Sequence, residues 1–237
     1  MPDIFRFKKF TVDQSGCAMK INTDGVLLGA LVEANQPKNI LDIGTGTGVI
    51  ALMLAQRFKD AQVDAVEIDP IAEQTAGSNF INSTYAERLN VYPIGFEEFF
   101  EQNPDKKYNL IVSNPPFFIN SLKSPEANKE LAKHTDEVFF ERLIAGLSKH
   151  LTIGGVGNLI LPPETADLVR SVALKNKLFV KKTMAIYSFK DSAPHREILA
   201  LSIDKTKADD KQFIIYDQPK VYSTQYRELL KDFFTIF

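Results

Sequence analysis

From residue 40 to residue 204, short apolar runs alternate with stretches whose apolar positions recur every three or four residues. Ile40-Leu41-Asp42-Ile43 has the length and character of a strand, and the apolar spacing after Gly48 predicts a helix to about residue 55. A second strand covers 62–66. Pro70 stands where helices begin, so 71–80 continues as a helix. Strands follow at 89–92 and 108–112. Phe139, Leu143, Ile144 and Leu147 share one helical face, which predicts a helix over about 138–151. Gly154-Gly155 ends it, 157–161 reads as a fifth strand, and Pro162-Pro163 opens a helix to about residue 175. Two late strands, near 178–187 and 197–203, read as an antiparallel pair. Segments 113–133 and 206–212 show no clear period and are expected as loops.

This alternation predicts an α/β fold: a doubly wound, mostly parallel seven-stranded sheet, with the late pair finishing one edge. No repeat or linker divides the chain. A single domain over 1–237 is expected, with an N-terminal lid or extension at 1–37, a core at 38–204 and a C-terminal extension at 205–237.

Composition narrows the class. The chain has 237 residues, of which 44% are hydrophobic and 18 are Phe, so a sizeable core is available and dominant disorder is excluded. Cys17 is the single cysteine, which excludes a disulfide framework. No signal-like or membrane-length apolar run occurs, so a cytoplasmic protein with no membrane association is expected, and a monomer. With 28 basic and 30 acidic residues the net charge is −2, so any nucleic-acid contact needs local patches. Arg6, Lys8, Lys9 and Lys20 form one group; Arg170, Lys175, Lys177, Lys181, Lys182 and Lys190 form another. Three scattered histidines and one cysteine have no metal-ligand spacing, and no metal is expected. His150 reads as a helix-end residue, and His195 as a loop residue.

Candidate chemistry begins at Asp42-Ile43-Gly44-Thr45-Gly46-Thr47-Gly48, between a strand and a helix. Glycines permit positive φ and close approach of a ligand to the backbone, and the helix beyond offers unpaired N–H groups. The third glycine comes one residue early for a dinucleotide fingerprint. Glu67 closes the next strand, where a carboxylate can accept both ribose hydroxyls. Asp42 disfavours a pyrophosphate and favours a cation such as a sulfonium, which selects S-adenosylmethionine over a nicotinamide cofactor. Leu41-Asp42-Ile43-Gly44-Thr45-Gly46-Thr47-Gly48 followed by Val66-Glu67-Ile68-Asp69 resembles the first two motifs of class I S-adenosylmethionine-dependent methyltransferases.

Asn114-Pro115-Pro116-Phe117 follows the fourth strand. The prolines fix φ and remove two donors, so the neighbouring carbonyls and the Asn114 carboxamide form a rigid set of acceptors for an exocyclic amino group. Accepting both N–H bonds frees the nitrogen lone pair for attack on a methyl carbon. Phe117 offers a stacking face. The tetrapeptide resembles the motif of methyltransferases acting on exocyclic or amide nitrogen. Further segments sharpen this: residues 17–29, which include Lys20-Ile21-Asn22-Thr23-Asp24-Gly25, and the tetrad Lys133-His134-Thr135-Asp136. With the central motifs they resemble the tRNA1(Val) (adenine-37-N6)-methyltransferase family. That resemblance implies tRNA as partner, with Thr23, Asp42, Gly44, Thr45, Gly46, Gly48, Glu67, Ile68 and Asn114 around the cofactor. It implies Lys20, Lys133 and His134 on the target side. Two departures stand out. An acid is missing after the third strand, where Phe96 is expected against the cofactor adenine, and Phe117 replaces the more usual Tyr. The alternatives are a glutamine-amide methyltransferase of release factors, a guanine-N2 RNA methyltransferase and a catalytically silent RNA-binding module.

Overall fold

The computed structural model describes residues 3–115 and 126–237, with the main chain alone for 126–136. The chain opens with strands β1 (Ile4–Arg6) and β2 (Thr11–Asp13), then helix α1 (Thr23–Leu31). The alternating core follows: β3 (Asn39–Ile43), α2 (Val49–Arg57), β4 (Gln62–Val66), α3 (Pro70–Ile81), β5 (Leu89–Tyr92), α4 (Phe96–Gln102), β6 (Tyr108–Ser113), α5 (Glu126–His150), β7 (Leu151–Leu161) and α6 (Pro163–Lys175). It closes with β8 (Phe179–Tyr187), β9 (Pro194–Ser202), β10 (Asp209–Ile214), β11 (Tyr216–Gln218), β12 (Val221–Tyr222) and α7 (Thr224–Leu230).

The main sheet has the order β10-β8-β9-β7-β6-β3-β4-β5. β3 to β7 run parallel, while β9 enters antiparallel between β7 and β8. The seven expected strands are all present, and an eighth, β10, pairs in parallel with β8. The late pair therefore does not end the sheet, and 206–212 is not wholly a loop. Asp209 to Gln212 are exposed, as edge strands commonly are, and their charge hides the strand period until Phe213.

Two other expectations need correction. The segment 113–133 is not one loop, because α5 begins at Glu126. Its first turns read Glu-Ala-Asn-Lys-Glu-Leu-Ala-Lys, residues mostly of good helix propensity without an apolar stripe. The short helix α4 has no counterpart in the sequence reading. Phe96, Phe99 and Phe100 give it a one-turn apolar face, too brief to stand out as a period.

Apolar residues fill both faces of the sheet. Val26, Leu27, Leu28, Ile50, Met53 and Phe80 belong to the core under α1, α2 and α3. Phe99, Phe100, Leu143, Ile144, Leu147 and Val169 belong to the core under α4, α5 and α6. The N-terminal strands are tied to the far end of the chain. Phe7 bridges to Phe234, the Lys8 amide donates to the Phe233 carbonyl, and Lys8 Nζ donates to main-chain oxygens of Lys231 and Phe237. Among the described residues no helix is long and apolar enough to cross a membrane.

Candidate active site

Strand order reverses between β3 and β6: the chain steps from β3 outward to β4 and β5, then returns to β6 on the other side. Open α/β sheets bind ligands at the carboxyl ends of the strands at such a point. Ile43 and Ser113 pair across it, and the Ser113 hydroxyl donates to the Ile43 carbonyl at 2.9 Å. The glycine turn and the Asn114-Pro115 segment thus leave the sheet side by side.

The turn is held from β4. The amides of Gly44 and Thr45 both donate to the Val66 carbonyl, and the Gly46 amide donates to Glu67 Oε2 at 2.8 Å. Glu67 Oε1 accepts from the Asp69 amide at 3.0 Å. Gly44 and Gly46 have φ of 70° and 57°, and a Cβ added to either would meet nothing within 4 Å. They line open space. Gly48 differs: at φ 81° an added Cβ would lie 2.5 Å from the Phe80 ring, so this glycine admits a core side chain rather than a ligand. Gly48→Ala is expected to cost about 2–3 kcal/mol of stability in urea unfolding, from left-handed strain plus overpacking. Gly44→Ala and Gly46→Ala carry the strain alone and lose less.

Asp42 is fully buried beneath the turn. Its Oδ2 accepts from the Thr45 hydroxyl at 2.6 Å, while Oδ1 makes no hydrogen bond of ordinary geometry among the described residues. Burial pushes the carboxyl up to about 7. The Thr45 hydroxyl and Ala51 amide oppose the rise, and the charge of Glu67 adds to it. The folded state then keeps a proton that the unfolded chain releases between roughly pH 4 and 7. Asp42 contributes stability that is complete below that window and lost as pH rises through about 7. Urea unfolding across this range should show a falling limb that Asp42→Asn flattens; an identical pH profile in the variant would refute the assignment.

The other wall comes from the N-terminal segment. Asn22 caps α1 by accepting from the Gly25 amide at 2.9 Å, which sets Thr23 and Asp24 in the first turn. Gly25 faces Asn114: an added Cβ would lie 3.7 Å from Asn114 Nδ2, an ordinary contact. Asp24 Oδ2 accepts from Arg196 Nε at 2.7 Å, with side chains 14% and 26% exposed, so α1 is tied to the start of β9. Together Met19, Thr23, Asp24, Asn114, Pro115 and Arg196 border a cavity of about 350 Å³. The Asp24–Arg196 pair joins residues 172 apart and has no local sequence signal.

Other expected site residues are placed as follows. Ile68 is 76% exposed beside Glu67. Phe96 is not free to meet a cofactor adenine: its ring is buried edge-on against Phe100 and Phe139, because it starts the apolar face of α4. Lys20 pairs with Asp3 at 2.9 Å. Pro116 and Phe117 lie outside the described residues, as do the side chains of Lys133 and His134. Within the basic groups, Arg170 pairs with Asp167 and Glu197, and Lys182 pairs with Glu33. His150 stacks on Phe100 at 4.2 Å, with Nδ1 2.8 Å from the Lys106 carbonyl, a structural role. His195 lies within β9 rather than in a loop. Among the described residues no cluster of His, Cys, Asp or Glu is placed to hold a metal ion.

A sheet reversed at this point, with an open glycine turn, a following acid and an Asn-Pro exit on the neighbouring strand, defines a doubly wound methyltransferase fold. The fold matches a predicted O-methyltransferase from Agrobacterium tumefaciens with a TM-score of 0.69 and 16% identity, covering 89% of this chain and 96% of that one. It also matches TrmN from Thermus thermophilus with a TM-score of 0.53 and 17% identity, over 70% of this chain and 43% of that one. The model of the methyltransferase small domain matches residues 17–157. Similar curated proteins named tRNA1(Val) (adenine(37)-N6)-methyltransferase occur in Pedobacter heparinus, 46% identical over 100% of both chains, and in Flavobacterium psychrophilum, 39% identical over 98% of this chain and 99% of that one. The chain belongs to the methyltransferase small domain family and, within it, to the tRNA1(Val) (adenine(37)-N6)-methyltransferase group.

Proposed function

We propose that this protein transfers a methyl group from S-adenosylmethionine to the exocyclic N6 of an adenosine in tRNA, adenosine 37 of a valine tRNA. The observation that carries the reading is the meeting of two features across the β3–β6 boundary: the open turn braced by Glu67, and the Asn114-Pro115 exit. The curated relatives' names supply the nucleotide.

The turn fits the cofactor on its own terms. Gly44 and Gly46 leave a cradle free of side chains, Glu67 has spare lone pairs for a ribose diol, and the exposed face of Ile68 suits a purine ring. Asp42 keeps an oxygen unpaired beneath it. S-adenosylmethionine, when bound, supplies an electrophilic methyl on a sulfonium. Asn114 and the Pro115 carbonyl accept the two amino hydrogens of the target base. They hold the nitrogen in line and localise its lone pair, so no strong base is needed. Thr23 and Asp24 close the cavity from α1, with Arg196 fixing Asp24. Arg6, Lys9 and Lys190 supply phosphate contacts, and Lys20, Lys133, His134 and Phe117 lie on the target side.

Mass spectrometry of nucleosides from valine tRNA lacking the modification, before and after treatment with the protein and S-adenosylmethionine, tests the reading. N6-methyladenosine should appear. Methylated guanosine instead, or a methylated release-factor glutamine with unmodified tRNA, would transfer the proposal to that substrate.

A further inference from the structure

A second cavity, of about 340 Å³, lies at the opposite end of the molecule from the methyl-transfer site. It opens between the last turn of α1 and the sheet face of β7, β9 and β8, near the amino ends of β7 and β8. The strand register explains why there is space. Asn158 on β7 pairs with Ala200 on β9, and Ala200 pairs with Lys182 on β8, so one cross-strand row reads Asn, Ala, Lys. The small central residue leaves room that its neighbours do not fill. Ile198 and Met184, paired in the next row, make the floor apolar.

Asn158 is the unusual member. It is 3% exposed, yet its Nδ2 has no hydrogen-bond partner among the described residues. An apolar side chain would fit such a surface without leaving a buried donor unpaired, so the carboxamide is costly to the fold as it stands. A carboxamide offers a donor and an acceptor side by side, and its natural complement is a planar edge carrying the same pair. Nucleobases carry such edges, and Asn pairs with adenine in this manner. At the rim stand Lys181, exposed, and Lys182, whose Nζ lies 2.8 Å from Glu33. An apolar slot, a buried amide and the exposed Lys181 ammonium beside the Lys182–Glu33 pair match the three parts of a nucleotide.

We infer that this cavity is a second ligand site, taking one nucleobase against Asn158 with its phosphate at Lys181. The ligand is a free mononucleotide or an unpaired nucleotide of an RNA, which share this chemistry. The inference does not rest on the proposed methyl transfer. The nine-residue helix α1 connects the two places, with Thr23 and Asp24 at the transfer site and Leu31 at this cavity.

The chain carries its own reporters. Met184 lines this cavity and Met19 lines the one in front of Asn114. Protein labelled with ¹³C at its methionine methyls, saturated with S-adenosylhomocysteine, is titrated with adenosine and uridine monophosphates, the two nucleosides, inorganic phosphate and a single-stranded trinucleotide. A monophosphate should shift Met184 saturably and leave Met19 in place, with the matching nucleoside about tenfold weaker for loss of the lysine contact. Asn158→Leu should weaken binding at least about tenfold while unfolding no more easily than the parent, because a buried unpaired donor is removed. Ala200→Leu should block the cavity by bulk and give the same loss. A tighter trinucleotide assigns the site to RNA; equal affinity assigns it to free nucleotides. No Met184 response at millimolar concentration, an undiminished response in Asn158→Leu, or the same shift with phosphate alone would each overturn the inference and leave a hydrated gap.

Discussion

Asn114→Ala should lower the single-turnover rate of tRNA methylation about 10²–10³-fold, the loss expected for one preorganised transition-state hydrogen bond in a water-poor site. The side chain stands at the end of β6, half-buried at the mouth of the 350 Å³ cavity and opposite the first turn of α1. Its carboxamide oxygen is one of two proposed acceptors for the amino hydrogens. Without it the nitrogen keeps its conjugated lone pair and its aim is lost. The effect should fall on the rate, because among the described residues no hydrogen bond joins Asn114 to the glycine turn. Binding of S-adenosylhomocysteine is therefore expected within a few-fold of the parent. Asn114→Asp retains an acceptor and should lose less. A variant Asn114→Ala that binds cofactor and methylates at the parental rate would reduce this segment to a strand terminus.

Glu67→Ala should weaken cofactor binding by about 3 kcal/mol or more, at least a hundredfold, since charge-assisted hydrogen bonds contribute about 1.5–3 kcal/mol each. Two losses combine. The carboxylate is the proposed holder of the ribose hydroxyls, and it also accepts from the Gly46 amide at 2.8 Å and so fixes the turn. Glu67→Gln separates them: it keeps the shape and one acceptor while losing the charge, and should lie between the two. Calorimetric titration with S-adenosylhomocysteine reads the affinity directly. Parental affinity in Glu67→Ala would place the cofactor elsewhere. Affinity lost equally in Glu67→Gln and Glu67→Ala would assign the effect to charge.

Much of this was legible because the central strands are buried on both faces and their turns carry glycine and proline. β4 and β5 have the limits that the apolar runs suggested, and β3 and β6 lie within a residue of them. What escaped the sequence was governed by other forces. β10 is an edge strand whose exposed charges mask its period, and the start of α5 is helical by propensity without an apolar stripe. Phe96 shows how proximity in sequence misleads. It follows the third strand as a cofactor contact would, but the apolar face of α4 turns its ring into the core. In the site itself, the glycines and acids were visible as types at a spacing. Their division of labour was not, for only the backbone shows that Gly44 and Gly46 face open space while Gly48 faces Phe80. The Asp24–Arg196 pair is a product of tertiary closure alone.

The join between Phe7, Lys8 and the segment around Phe233 and Phe234 has a consequence for the order in which the chain is fastened. Lys8 and Phe237 lie 229 positions apart, so the contact of Lys8 with that residue cannot exist until residue 237 has been made. The strands behind the glycine turn are complete long before that. Long-range closures of this kind are slow to form. A growing chain can therefore assemble its cofactor cradle while the segment ahead of α1, at Phe7 and Lys8, still lacks its anchor. Stalled chains of increasing length should show glycine-turn protection well before the Lys8 amide is protected. Fastening of the segment ahead of α1 is thereby deferred until Lys231 to Phe237 have been made, after the strands that carry the cradle.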